Sequence, residues 1–143
     1  GSTVKRVYAE IASHFHDLDA DDAGLLNLTF ENGVTPVIDT SWSRPGSFPM
    51  WGDMTLEIVG SMGSISVDAF AQYHEWFSDI ERKTVWEPWG DDMDALLVAD
   101  FVRAVREGRP VAVTGEDGMN AAMVAFAAYE SAKQGKPVPV ERG

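Results

Sequence analysis

Histidines and carboxylates are the side chains here best suited to chemistry, and their spacing decides what they can do. His14 and His16 lie two apart, so on a strand both point to one face, a spacing that can bind a metal. The chain has one further histidine, His74, and no carboxylate can be assigned to that face, so the pair reads as partly exposed strand histidines. The run Asp17–Asp22 opens like a calcium loop. It places Asp22 where such a loop needs glycine and Leu28 where it needs a bidentate glutamate, so it reads as a solvated turn. There is no cysteine, hence no thiolate nucleophile and no Cys-ligated zinc. No GxSxG is present and nothing links a serine to an imidazole, so a serine triad is not credible. Carboxylates number 23, yet no pair stands out as the acid and base of a glycosidase. Gly60–Gly63 and Gly115–Gly118 lack both GxGxxG spacing and a βαβ context, and the second pair carries acids where a phosphate would sit.

The segment Arg44–Asp53, RPGSFPMWGD, is the best place for contact with a small molecule. Phe48 and Trp51 could cover a sugar face, and Arg44 could hold a carboxylate or hydroxyl. The same residues also fit an ordered surface loop with Trp51 tucked onto the sheet, and both readings stay open.

These residues need a scaffold, and 143 residues suffice for one domain, read here as 3–143, with Gly1-Ser2 as a tag-cleavage remnant. A domain of this size buries ~70% of its unfolded surface. Eleven bases stand against 23 acids for a net charge of -12, and no basic cluster exceeds two. Nucleic acid and anionic membrane are therefore set aside as partners. The lack of cysteine is compatible with cytoplasmic residence, and no apolar run nears the ~20 residues of a membrane span.

From Thr3 to Trp89 strand follows strand. Val7, Ala9, Ile11 and Phe15 alternate with Tyr8, Glu10, His14 and His16. Leu26, Leu28 and Phe30 lead to Asn32-Gly33, the signal of a type I′ hairpin, and a returning strand from Val34 to Ser43 that Pro36 marks as an edge. Further pairs are expected around Gly60–Gly63 and around Ser78–Arg82. A helix over Asp92–Glu107 ends at Gly108, and a short strand follows the Gly-Arg-Pro stop. Thr114 and Asp117 then cap a second helix that Gly135 and Pro137 end, with Met119, Ala122, Met123, Phe126 and Ala127 as its buried face. The fold class is α+β: an open, mostly antiparallel sheet with two C-terminal helices packed on one face, leaving the other face to meet another sheet or subunit.

The pieces Asp21-Asp22 leading into LLNLTFENGVTPVIDTSW, then LEIVGSMGSISVD, DFVRAVREGRPVAVTGEDG and AAYESAKQGKPVPV occur in one order. As an ordered set they resemble the C-terminal domain of the Gfo/Idh/MocA (glucose–fructose oxidoreductase / inositol dehydrogenase) family. The resemblance implies a parent whose N-terminal Rossmann domain binds NAD or NADP and acts on sugars, polyols or related hydroxyl compounds. The Rossmann glycine motif and the Glu-Lys-Pro stretch with the catalytic lysine have no match here, and His14-Phe-His16 does not fit the family's Asp/His segment. The resemblance thus implies no catalytic residue and no cofactor in this chain. It implies a substrate-side region near Trp42, Arg44 and Trp51, a homodimer through the uncovered sheet face, and the parent's own Rossmann domain as partner. The alternative is a free-standing carbohydrate-binding or interaction module derived from that family.

Overall fold

Period-2 alternation and turn residues set the strands, and the computed structural model describes residues 2–50 and 52–141. In order these are β1 (Val4–Ala12), β2 (Ala23–Phe30), β3 (Val37–Ser41), β4 (Thr55–Gly60), β5 (Gly63–Asp68), β6 (Tyr73–Ser78), β7 (Lys83–Pro88), α1 (Met93–Glu107), α2 (Gly115–Gln134) and β8 (Val138–Pro139). Every pairing is antiparallel and the helices follow the main run of strands, an α+β chain. The strands divide into a four-stranded sheet ordered β3-β2-β1-β8 and two hairpins, β4-β5 and β6-β7, where the sequence suggests one open sheet. Short turns make the hairpin partner the cheapest one to find. The stretch after the Gly-Arg-Pro stop forms no strand. The chain resolves into two compact units, Gly1–Ser43 with Asp100–Gly143, and Arg44–Ala99.

In the first unit the register sets Val7 opposite Leu28 and Ala9 opposite Leu26. These side chains share one face, where α2 and β8 meet them. Val7, Ala9, Leu28, Ala128 and Val138 form the buried core. The stripe of α2 that packs on the sheet is Val124, Ala127, Ala128 and Ser131, at i, i+3, i+4 and i+7, with Ala128 and Ser131 fully buried. Met119, Ala122 and Phe126, expected there, are exposed. Small side chains let the helix approach the sheet closely, and the bulky ones stay at its margin. The expected packing of both helices is realised on this sheet by α2; the stripe Leu97, Phe101 and Val105 of α1 is exposed. Asp92 caps α1 by accepting the amides of Asp94 and Ala95. The capping box of Thr114 and Asp117 is formed, and Gly135 closes α2 in the left-handed region at φ 64°.

Ser131 is fully buried and joins three elements. The pair Val7↔Val138 fixes the β1-β8 register, and its continuation sets Ala9 opposite Lys136. The Ser131 hydroxyl occupies that rung: it accepts the Ala9 amide at 3.1 Å and donates to the Lys136 carbonyl at 2.7 Å. The hairpin between β2 and β3 differs in type from the expected one. Only Gly33 has positive φ, at 87°. The bonds Gly33 N–H to Phe30 O and Phe30 N–H to Val34 O make a type I turn with a glycine bulge. As Pro36 predicts, β3 is an edge strand.

In the second unit Leu56 pairs with Val67 and Ile58 with Ile65, a single apolar face on β4-β5. Across β6-β7, Tyr73 stacks on Trp86 at 4.2 Å, and the indole N–H of Trp86 donates to Glu75 at 2.7 Å. Among the described residues no helix is long and apolar enough to cross a membrane.

Candidate functional site

Trp42 follows β3, and two hydrogen bonds fix it. Its backbone amide donates to the Asp22 carbonyl at 3.3 Å and its indole N–H to the Asp21 carbonyl at 2.8 Å. The ring still remains 59% exposed, and the His16 imidazole lies 5.8 Å from it, centroid to centroid. A held but exposed indole presents a flat apolar face next to polar groups, which is what an oriented ligand needs.

Asp22 makes this arrangement, and the solvated turn expected of Asp17–Asp22 is corrected there. It is 1% exposed. Its carboxylate accepts the backbone amides of His14 at 2.9 Å, Phe15 at 2.7 Å and His16 at 2.9 Å. Burial alone pushes its pKa up. The three amides and the His16 imidazole outweigh that, leaving the pKa below the ordinary carboxylate value. These bonds also end β1 at Ala12, so His14 and His16 sit in a loop and not on the strand the alternation suggests. Asp21 turns its carboxylate to the Tyr129 hydroxyl on α2, and that hydrogen bond, with the carboxylate's charge, raises the phenol's pKa. In sequence, Asp22 is marked only by its place directly before β2.

Arg44 opens the second unit, and its guanidinium is engaged within its own loop. Nε and Nη2 donate to one oxygen of Asp53 at 3.0 and 2.7 Å, and the group lies 5.9 Å from the Phe48 ring centre. Phe48 packs edge-on against Trp86 at 5.4 Å and so joins this loop to a hairpin. Trp51 lies outside the described residues. A 340 Å³ cavity in this unit is lined by Met50, Gln72, Trp89, Asp91 and Asp94, among others. It combines carboxylates with an aromatic wall. Gly90 shapes it: its φ of 97° is a backbone that strains any side chain, and a Cβ there would have to displace the Gln72 amide.

Among the described residues no group of three or more His, Asp or Glu side chains could hold a metal. Neither glycine pair builds a dinucleotide cradle. Gly60 and Gly63 pair across the β4-β5 turn, and at the start of α2 the Asp117 amide donates to the Thr114 hydroxyl while the Asp117 carboxylate accepts the Thr114 amide.

The pattern of the family described as "Oxidoreductase family, C-terminal alpha/beta domain" (Gfo/Idh/MocA) matches residues 2–140. The chain is similar to the uncharacterized oxidoreductase YrbE of Bacillus subtilis, with 29% identity over 99% of this chain and 43% of that protein. It is 27% identical to a myo-inositol 2-dehydrogenase of Thermotoga maritima, over 99% of this chain and 44% of that one. Among solved structures, GenD2 from gentamicin A biosynthesis, in complex with NAD, superposes with a TM-score of 0.82 at 24% identity, over 98% of this chain and 42% of its own. Myo-inositol 2-dehydrogenase from Lactobacillus plantarum gives 0.73 at 21% identity, over 98% and 43%. At these identities the structures speak for the fold. The chain spans less than half the length of the curated relatives it matches.

Proposed function

The chain belongs to the Gfo/Idh/MocA oxidoreductase family as its C-terminal alpha/beta domain, and from that membership we propose that it is the substrate-side and oligomerisation domain of an NAD(P)-dependent oxidoreductase acting on a sugar, polyol or related hydroxyl compound. The observation that carries this reading is Trp42, exposed yet held at both its backbone and its indole nitrogen. The nicotinamide, bound by the remainder of a longer protein, supplies the hydride chemistry; the residues here bind and orient. The chain is not catalytic alone. Titration with NADH leaves its tryptophan emission unchanged, and saturable quenching at micromolar NADH would contradict the reading.

The uncovered face of the four-stranded sheet is the proposed dimer contact. The register places Arg6, Tyr8, Glu10, Leu25, Val37 and Asp39 on it. Across a twofold axis each patch meets its own copy, so the base on one subunit can face the acids of the other. A specific contact covers about 800 Å² per partner. A strictly monomeric mass at micromolar concentration counts against it.

The cavity beside Trp89 favours a second reading, a free-standing carbohydrate-binding module. Under that reading Trp89→Ala abolishes polyol binding by the chain while Trp42→Ala leaves it intact. Under the first reading the order reverses.

A further inference from the structure

Loop residues 13–20 belong to no strand, and one carboxylate gathers three of their backbone amides. The Asp22 side chain gathers the amides of His14, Phe15 and His16, and the Ser13 hydroxyl closes the far end of the loop on the Ala20 carbonyl. The same residue reaches β1 through its own N–H, which donates to the Ala12 carbonyl at 3.1 Å. Its carbonyl accepts the Trp42 amide and the Ser43 hydroxyl. One buried side chain and its backbone thus tie the loop bearing His16 to the segment bearing Trp42. Neither ring is buried; the Trp42 ring is held at its indole nitrogen, and His16 is held at its backbone amide with its ring beside the indole.

We propose that His16 and Trp42 form one ligand-facing surface for a hydroxylated ring, a pyranose or cyclitol, and that Asp22 is the positioning residue that keeps the two together. The choice of ligand rests on the substrate-side reading above; the positioning role does not. The indole face meets the C–H face of such a ring. An imidazole offers two ring nitrogens for hydrogen bonding, so His16 at the margin of the indole can bond a hydroxyl of such a ring. A platform fixed before binding avoids the ordering cost of a loose side chain, about a two- to tenfold gain in affinity for each group held.

The variant Asp22→Asn tests this. An amide keeps the shape but replaces one acceptor oxygen by a donor, so the three amides can no longer all be satisfied. In the variant, the amides of His14, Phe15 and His16 lose protection from hydrogen exchange and the indole N–H resonance of Trp42 shifts or broadens. The amides of Val7 and Leu28 in the core keep theirs. If Asp22→Asn leaves the loop amides and the Trp42 indole unchanged, the positioning role is overturned. Should the variant not fold, the intact chain decides: the three loop amides and the Trp42 indole N–H exchange with one common opening free energy, and unrelated values overturn the proposal. Titration of the intact chain with myo-inositol then tests the ligand half. It moves the Trp42 indole and His16 ring signals together, and Trp42→Ala or His16→Ala weakens binding about two- to tenfold. If neither signal moves, the substrate-side reading falls, and hydrogen exchange alone decides the role of Asp22.

Discussion

Replacing Ser131 by alanine removes one oxygen atom and leaves two groups without a partner. The Ala9 amide belongs to a residue 1% exposed, so water cannot take the place of the lost acceptor. The Lys136 carbonyl belongs to an exposed residue and can be hydrated. The amide therefore dominates, and an unsatisfied buried donor costs about 1–3 kcal/mol. Alanine recovers roughly 0.5 kcal/mol through its higher helix propensity. The net loss is then about 0.5–2.5 kcal/mol. With an unfolding entropy of ~2.1 cal/mol/K per residue, a chain of this length melts about 3 °C lower for each kcal/mol, so Tm falls by roughly 2–8 °C. In urea the midpoint falls while the slope stays constant, because the surface exposed on unfolding is the same. Exchange of the Ala9 amide provides the local readout and accelerates more than that of Leu28. A variant that keeps the parent's midpoint and the parent's Ala9 protection would refute the argument that this hydroxyl completes the β1-β8 ladder.

Acid should release the loop before the core. Asp22 has a lowered folded pKa, so its contribution is present above its unfolded value of about 4 and is lost as pH falls through the lower folded value. Protection of the His14–His16 amides drops in that acid window, and Asp22→Asn shows no such transition there; a parent flat down to the acid limit contradicts the assignment. Asp117, lowered chiefly by the Thr114 hydroxyl, titrates in the same direction, so part of the global acid sensitivity persists in the Asp22 variant. Thr114→Ala removes the cap of α2 and should cost about 1 kcal/mol in a denaturant melt, with no loss of helix beyond the first turn by circular dichroism. Gly90→Ala forces a side chain into a left-handed backbone against Gln72. It destabilises by at least about 1–2 kcal/mol, and Gln72→Ala in addition relieves only the clash and not the backbone strain.

Local signals are legible in the sequence. Thr114, Asp117 and Gly135 mark the ends of α2 because a cap is a contact between residues a few positions apart. Pro36 marks an edge because it lacks a donor wherever it sits. The misplaced features depend on distant partners. Phe126 is apolar and in phase with a plausible stripe, but the close approach to β1 selects Ala127, Ala128 and Ser131 instead. Asn32-Gly33 signals a hairpin, yet the choice between two-residue and bulged turns depends on how β2 and β3 register. Asp22 stands in an acidic run that looks solvated. Its burial follows from amides six to eight residues before it that no strand satisfies, and nothing in a linear pattern displays an unpaired amide. The family resemblance leads one to expect a contact residue at Trp42, while the carbonyls that hold it come from the same acidic run.

The first unit is discontinuous: its sheet and α2 come from both ends of the chain, and Arg44–Ala99 is inserted between them. The core strand β1 pairs with β2 nearby and with β8 from the opposite end. The entropy of closing such a connection grows only with the logarithm of its length, about 0.6 kcal/mol per doubling. The inserted segment can therefore be lengthened, shortened or exchanged at little cost to the core built from Val7, Leu28, Ala128 and Val138. A fold of this kind can hold its framework constant while the intervening hairpins are rewritten.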